Sequence, residues 1–206
     1  MLKQNTTILF QGDSITDCHR NRMDYDDLGN GYVNLINYYI QKHMADDNIK
    51  CINRGIAGDR TADLQKRWKR STLCLDIDIL SLLVGVNDTW RRYDLGIEVP
   101  VNTFKEHYHY LLDSALEKNP ALKIILMSPF LLPTEPKQLE WHEDLEPKIE
   151  VVKQLALQYN AVYIPLQEIF NNEITAEKPN CYWTYDGVHP TPKGHVLIAK
   201  SWIDAL

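Results

Sequence analysis

Ser14 lies in the segment Gly12-Asp13-Ser14-Ile15-Thr16-Asp17, immediately after the apolar run Ile8-Leu9-Phe10. A serine just past a buried strand can project from a sharp turn, and the amides that follow it can donate to an anion. Its hydroxyl is a poor nucleophile until a base takes the proton. A candidate base stands near the other end of the chain, in Tyr185-Asp186-Gly187-Val188-His189-Pro190. A carboxylate three residues before a histidine, in a loop punctuated by Gly and Pro, can set both side chains on one side of a turn. Asp186 would then accept from one ring nitrogen of His189 and leave the other facing the serine. The chemistry on offer is nucleophilic acyl transfer. Taken singly, each segment also reads as an ordinary turn, with His189 bonded to its loop neighbours.

Acyl transfer further needs donors for the oxyanion. Two segments supply candidates: Asn53-Arg54-Gly55-Ile56-Ala57-Gly58 and Gly85-Val86-Asn87-Asp88. Glycine lets backbone approach a ligand closely and aim an N–H at it, which points to Gly58. Asn87 can present a neutral side-chain amide to developing negative charge. Both segments are equally compatible with plain turns. His142-Glu143 lacks the second histidine of a zinc-protease helix. Cys18, Cys51, Cys74 and Cys181 have neither zinc-knuckle nor CxxC spacing and read as free thiols. Neither a metal nor a cofactor is expected.

These residues are useful only if the fold gathers them. Residues 6–11, 49–53, 77–84, 123–128 and 161–164 read as strands, the third as a continuous apolar run of the kind buried on both faces. Between and after them, residues 31–44, 61–70, 103–118, 139–159 and 193–206 read as helices. Val33, Ile36, Tyr39 and Ile40 should share one face of the first, Thr61 is a candidate cap for the second, and Pro147 should start a new helix or kink the fourth. Regular alternation implies a parallel sheet covered by helices on both faces, with right-handed crossovers. Ligands in such sheets bind outside the carboxyl ends of the strands, where strand order reverses. Ser14, Gly58, Asn87 and the Asp186/His189 pair all follow strands or lie in loops that this fold would bring together.

The remaining composition narrows the partners. The 206 residues, 44% hydrophobic and 24% charged, suit a single soluble domain spanning 1–206. A net charge of −6 gives no general attraction to nucleic acid or anionic lipid. The run Lys66-Arg67-Trp68-Lys69-Arg70 is expected to be a solvated helix face. No signal-peptide h-region opens the sequence, so a cytoplasmic protein is expected. A homo-oligomer is compatible with the sequence.

Assembled, the segments resemble the four blocks of the SGNH/GDSL hydrolases: Gly-Asp-Ser with Ser14, Asn53-x-Gly55-x-x-Gly58 with Gly58, Gly85-x-Asn87-Asp88 with Asn87, and Asp186-x-x-His189-Pro190. All four occur in family order across nearly the whole chain. The segments from Gly12 to Cys18 and from Gly85 to Asp94 are similar to those of cytoplasmic bacterial acetylxylan esterases. The resemblance implies a three-layer α/β/α sandwich with a flavodoxin-like, five-stranded parallel sheet. It also implies a Ser14–His189–Asp186 triad, an oxyanion hole of Ser14, Gly58 and Asn87, and deacetylation of small acetylated sugars such as xylo-oligosaccharides through an acyl-enzyme. Two residues depart from the pattern, Ile15 in place of Leu and Tyr185 in place of Trp before the catalytic Asp. Trp90, Tyr93, Trp183 and Tyr185 flank the site in sequence and could stack on a sugar ring, or they could be core aromatics. Arg60, Arg91 and Arg92 read by default as surface ion pairs. The competing functions are a lysophospholipase or thioesterase, which would need a long apolar groove, and a non-catalytic sugar-binding protein, in which a catalytic residue would be missing.

Overall fold

The computed structural model describes residues 2–206. Five strands, β1 (Thr7–Gly12), β2 (Lys50–Asn53), β3 (Ile79–Leu83), β4 (Lys123–Met127) and β5 (Val162–Ile164), form one parallel sheet in the order β2-β1-β3-β4-β5. The helices are α1 (Ser14–Asp17), α2 (Tyr32–His43), α3 (Thr61–Trp68), α4 (Val86–Leu95), α5 (Val101–Lys118), α6 (His142–Gln158), α7 (Leu166–Glu173), α8 (Asn180–Trp183) and α9 (Pro192–Asp204). Strand order reverses between β1 and β3, and this reversal opens a crevice at the strand carboxyl ends.

Side chains alternate across each strand, so a strand buried on both faces feeds two cores. Ile8 and Phe10 of β1 pack with Tyr32, Val33 and Ile36 of α2 and Trp202 of α9, whereas Leu9 packs with Leu64 and Trp68 of α3 and Tyr108 of α5. β4 divides likewise, Ile125 and Met127 to one side, Ile124 and Leu126 to the other. The layers are thus helix, sheet, helix.

The sequence expectations need four corrections here. Tyr39 is 39% exposed and packs on His43; Tyr32 takes the core position instead. The residue at the α3 cap is Arg60, whose amide donates to Asp63, while the Thr61 hydroxyl is drawn inward to Asp88. A tighter 3-10 segment, Pro136–Trp141, replaces the start of the fourth expected helix, and α6 runs on through Pro147. α4 and α7 have no counterpart among the expected elements.

A single polar pair ties α9 to the centre of the sheet. Trp202 is fully buried and its indole N–H donates to Ser81 Oγ of β3 at 3.0 Å. An unpaired buried donor costs roughly 1–3 kcal/mol. Ser81→Ala should therefore lower unfolding stability by that amount, and Trp202→Ala by about 3–5 kcal/mol through the cavity it leaves. Urea midpoints measured on the three proteins check this; equal midpoints would show that α9 is not anchored through Trp202.

Candidate active site

β1 ends at Gly12, and Asp13 turns the chain into α1 by accepting the Ile15 amide at 3.0 Å. That turn projects Ser14 at the carboxyl end of the sheet. Its Oγ lies 2.9 Å from His189 Nε2, and His189 Nδ1 lies 2.6 Å from Asp186 Oδ2. The other Asp186 oxygen accepts the amides of Val188, at 3.0 Å, and His189, at 2.7 Å. Burial pushes the Asp186 carboxyl up, but bonds from the His189 ring and these two amides outweigh it and hold it down at about 2. The hydrogen bond to Asp186 lifts His189 above its ordinary value, against burial. A carboxylate fixed on Nδ1 leaves Nε2 as the acceptor for the serine proton. Asp13 is buried with one oxygen unpartnered, and desolvation raises it to about 7 in spite of the Ile15 amide and nearby His189.

The loop carrying Asp186 and His189 is braced from several sides. Thr184 pairs with Pro190, the Tyr185 amide donates to His189 O at 2.8 Å, and the Leu132 amide donates to Gly187 O at 2.8 Å. The Gln138 side chain donates to Asp186 O at 2.7 Å. Sequence reasoning missed Gln138, because nothing local in the 3-10 segment marks a contact made 48 residues away.

Gly58 stands with φ +87° and open space where a Cβ would project, a left-handed conformation that glycine adopts without strain. Neither its amide nor that of Ser14 donates to a backbone or side-chain acceptor among the described residues. Asn87, on the first turn of α4, is buried and spends one amide hydrogen on Asp59 O at 3.1 Å, leaving the second uncommitted. Gly85 makes the turn from β3 into α4 with φ +133°, and a Cβ there would press on the Phe104 ring at 2.9 Å. Asn53 closes off β2: its side chain donates to Thr16 O and Leu28 O and accepts the Gly55 amide. The sequence-predicted triad residues therefore meet directly, and the two further donors meet through Asp59, the neighbour of Gly58.

A cleft of about 920 Å³ opens beside Ser14. It is lined by Asp17 at the end of α1, residues 18–22 after it, Asn30, Ala57, Tyr185, His189, Pro190, Pro192 and His195. Of the four aromatic candidates, Tyr185 lines the cleft and is 69% exposed. Trp90 packs its ring 5.8 Å from the His189 ring and 5.6 Å from Trp141. Tyr93 stacks on Trp141 and gives its hydroxyl to Glu140 O. Trp183 is buried against Phe170 and Tyr182, a core aromatic away from the cleft. Arg60, Arg91 and Arg92 are paired with Asp63, Asp94 and Asp144. The basic run of α3 is not a solvated face throughout: Trp68 is fully buried and Arg67 is buried among polar partners. His195 was also missed. It accepts the Tyr32 amide on Nδ1 at 3.1 Å, so Nε2 carries the proton and faces Cys18 Sγ at 3.3 Å. Burial, with the His189 charge nearby, lowers His195 to about 4. All four cysteines are free thiols. Among the described residues no group of three or more His, Cys, Asp or Glu is arranged to hold a metal, and no helix is long and apolar enough to cross a membrane.

The chain belongs to the GDSL-like lipase/acylhydrolase family, whose family model matches residues 10–197, and it is a carboxylic ester hydrolase. It is 33% identical over 202 residues to an acetylxylan esterase of Geobacillus stearothermophilus, covering 95% of this chain and 91% of that one. Its structure is similar to that of a Parabacteroides merdae protein described as a GDSL-like lipase (TM-score 0.92, 34% identity, 100% and 97% of the two chains). It is also similar to Axe2, an acetylxylan esterase from Geobacillus stearothermophilus (TM-score 0.88, 30% identity, 98% and 94%). Other Axe2 structures are of catalytic mutants in which a serine, an aspartate or a histidine is replaced by alanine, the last two being three positions apart in that chain.

The geometry separates the two histidines of the cleft by their titration. In NMR, the His189 ring should titrate above the ordinary value of about 6.5, and His195 should stay neutral down to about pH 4. Asp186→Asn should bring the His189 midpoint down, since the bond that favours its charged form is lost. A His189 midpoint unmoved by Asp186→Asn would sever the pair.

Proposed function

We propose that this protein removes acetyl groups from small sugars, xylo-oligosaccharides among them, with Ser14 as nucleophile, His189 as general base and then acid, and Asp186 as the orienting carboxylate. The observation that carries the mechanism is the continuous line of hydrogen bonds from Asp186 through His189 to Ser14 Oγ. Ser14 Oγ attacks the ester carbonyl carbon while its proton passes to His189 Nε2. The carbonyl oxygen becomes the oxyanion, met by the amides of Ser14 and Gly58 and the free side-chain hydrogen of Asn87. Collapse breaks the bond to the sugar oxygen, which takes the proton from His189 and leaves as the alcohol. Water, deprotonated by His189, then attacks the acetyl-Ser14 ester and releases acetate. An Asp-x-x-His pair and a serine are also the groups replaced in the Axe2 catalytic mutants, which supports the same assignment here.

The polar side chains along the cleft suit a hydroxylated alcohol. His19, Asn21, Arg22, Asn30 and Tyr185 offer polar groups along it, and no Leu, Ile, Val, Met or Phe is among its lining residues. Tyr185 presents an open ring for a pyranose face. The acetylxylan esterases among its relatives point to the same substrate class. Four free thiols suit a reducing compartment, consistent with a cytoplasmic enzyme.

Initial rates on an acetylated xylo-oligosaccharide, an aryl acetate and an aryl octanoate test the substrate. Acetyl esters should be turned over far faster than the octanoate; preference for the octanoate would overturn the sugar esterase reading. Ser14→Ala should abolish turnover and labelling by an aryl phosphonate. Asn87→Ala should lower kcat by on the order of 10²–10³ with KM little changed, because the bond it makes forms only with the oxyanion. Normal kcat in a merely destabilised Asn87→Ala would remove it from the oxyanion hole.

A further inference from the structure

The oxyanion donors proposed above come from three separate loops, and one buried side chain touches the framework of all three. Arg67, near the end of α3, is 5% exposed. Its Nε donates to Asp59 Oδ2 at 2.5 Å and its Nη2 to Gly12 O at 3.2 Å. Nη1 is held by Gln11 Oε1 at 2.9 Å and Ser71 Oγ at 3.2 Å. Gly12 lies two residues before Ser14. Asp59 directly follows Gly58, and its backbone carbonyl is the acceptor that fixes the Asn87 amide. The guanidinium therefore grips the loop after β1 through a carbonyl and the loop after β2 through a carboxylate, and the second grip extends to α4 through Asn87.

We propose that Arg67 is a positioning residue for the oxyanion hole: it sets the relative placement of the Ser14 and Gly58 amides and of the Asn87 side chain without touching substrate. This rests on the oxyanion-hole reading. A fixed planar fork suits the task, since it can hold a carboxylate and a carbonyl in different directions from one rigid group; a lysine supplies charge without that geometry. Burying an ion pair of this kind is a poor route to stability. The side chains of Arg67 and Asp59 are nonetheless only 6% and 12% exposed, at the one place where three donor-bearing loops must keep register. Preorganised donors accelerate a reaction because they need no rearrangement as charge develops, and small misplacements of such groups are costly in rate.

The test is a double-mutant cycle of Arg67→Lys and Asn87→Ala, read as kcat and KM on an aryl acetate, with circular-dichroism melts to confirm folding. Arg67→Lys should lower kcat by on the order of 10–100-fold with KM little changed. In the Asn87→Ala background its effect should shrink to less than about a third of that, because part of what it positions is already gone. Ser71→Ala removes one of the two Nη1 contacts but leaves Gln11 held by Ser71 O and Thr72 Oγ1, so the grips on Gly12 and Asp59 are untouched and kcat should be unchanged. Should Arg67→Lys fail to fold, Asp59→Asn weakens the same grip while retaining the carbonyl that holds Asn87, and should likewise reduce kcat and spare KM. Normal kcat in the folded Arg67 or Asp59 variant, an equal loss in both backgrounds, or a change confined to KM would overturn the positioning role. If Asn87→Ala by itself has normal kcat, the oxyanion-hole reading fails first and the proposal falls with it; an impaired Asn87→Ala beside an unimpaired Arg67→Lys refutes the positioning role alone.

Discussion

A parallel sheet wound in the order β2-β1-β3-β4-β5 sends the connection after β1 to one side of the sheet and the connection after β3 to the other. The two connections diverge, and the gap between them opens a crevice at the carboxyl edge where a ligand can bind. Ser14 follows β1, Gly58 follows β2 and Asn87 follows β3, so the serine and both oxyanion candidates border that gap. Asp186 and His189 arrive from a loop after β5 that is braced by Gln138 and Leu132. Everything chemical in the molecule depends on this reversal of winding.

Below the crevice the protein accepts a set of buried charges that a purely structural core would avoid. Asp88 is fully buried and raised to about 6 by desolvation, although the Thr61 hydroxyl and amide both donate to it. Lys148 is fully buried against Asp144, with Thr89 Oγ1 at 3.3 Å. Asp59 and Arg67 form a third buried ionic site. Removing ions from water costs several kcal/mol each, recovered only with well-placed partners. These groups all attach to α3, α4 or the loops that lead into them. Their placement makes sense where rigidity around a developing negative charge matters more than folding stability.

Much of this was readable from the chain. The third strand announced itself because burial on both faces demands a continuous apolar run, and α2 because an apolar face recurs with helical period. The serine, the Asp-x-x-His pair, Gly58 and Asn87 were legible as a candidate site because acyl transfer restricts residue type so tightly that four short blocks in order stand out. α4 escaped because its first turn is Val-Asn-Asp-Thr, turn-like in composition, and helical only because its polar side chains find buried partners elsewhere.

What the tertiary structure alone decided was which side of each residue faces what. Trp183 and Tyr185 are two positions apart and equally aromatic, yet one fills the core beside Phe170 and the other stands open on the cleft. Arg67 sits in a run of basic residues, and local pattern assigns such a run to solvent. It is buried because Gln11, Gly12 and Asp59, up to 56 residues away, converge on its guanidinium. Hydrophobic periodicity and chemically suited residue types are properties of short segments, so the sequence determined the sheet and marked the candidate reacting groups. A polar side chain's burial depends on partners that only chain folding brings within hydrogen-bond reach, so the support of the site was decided in three dimensions.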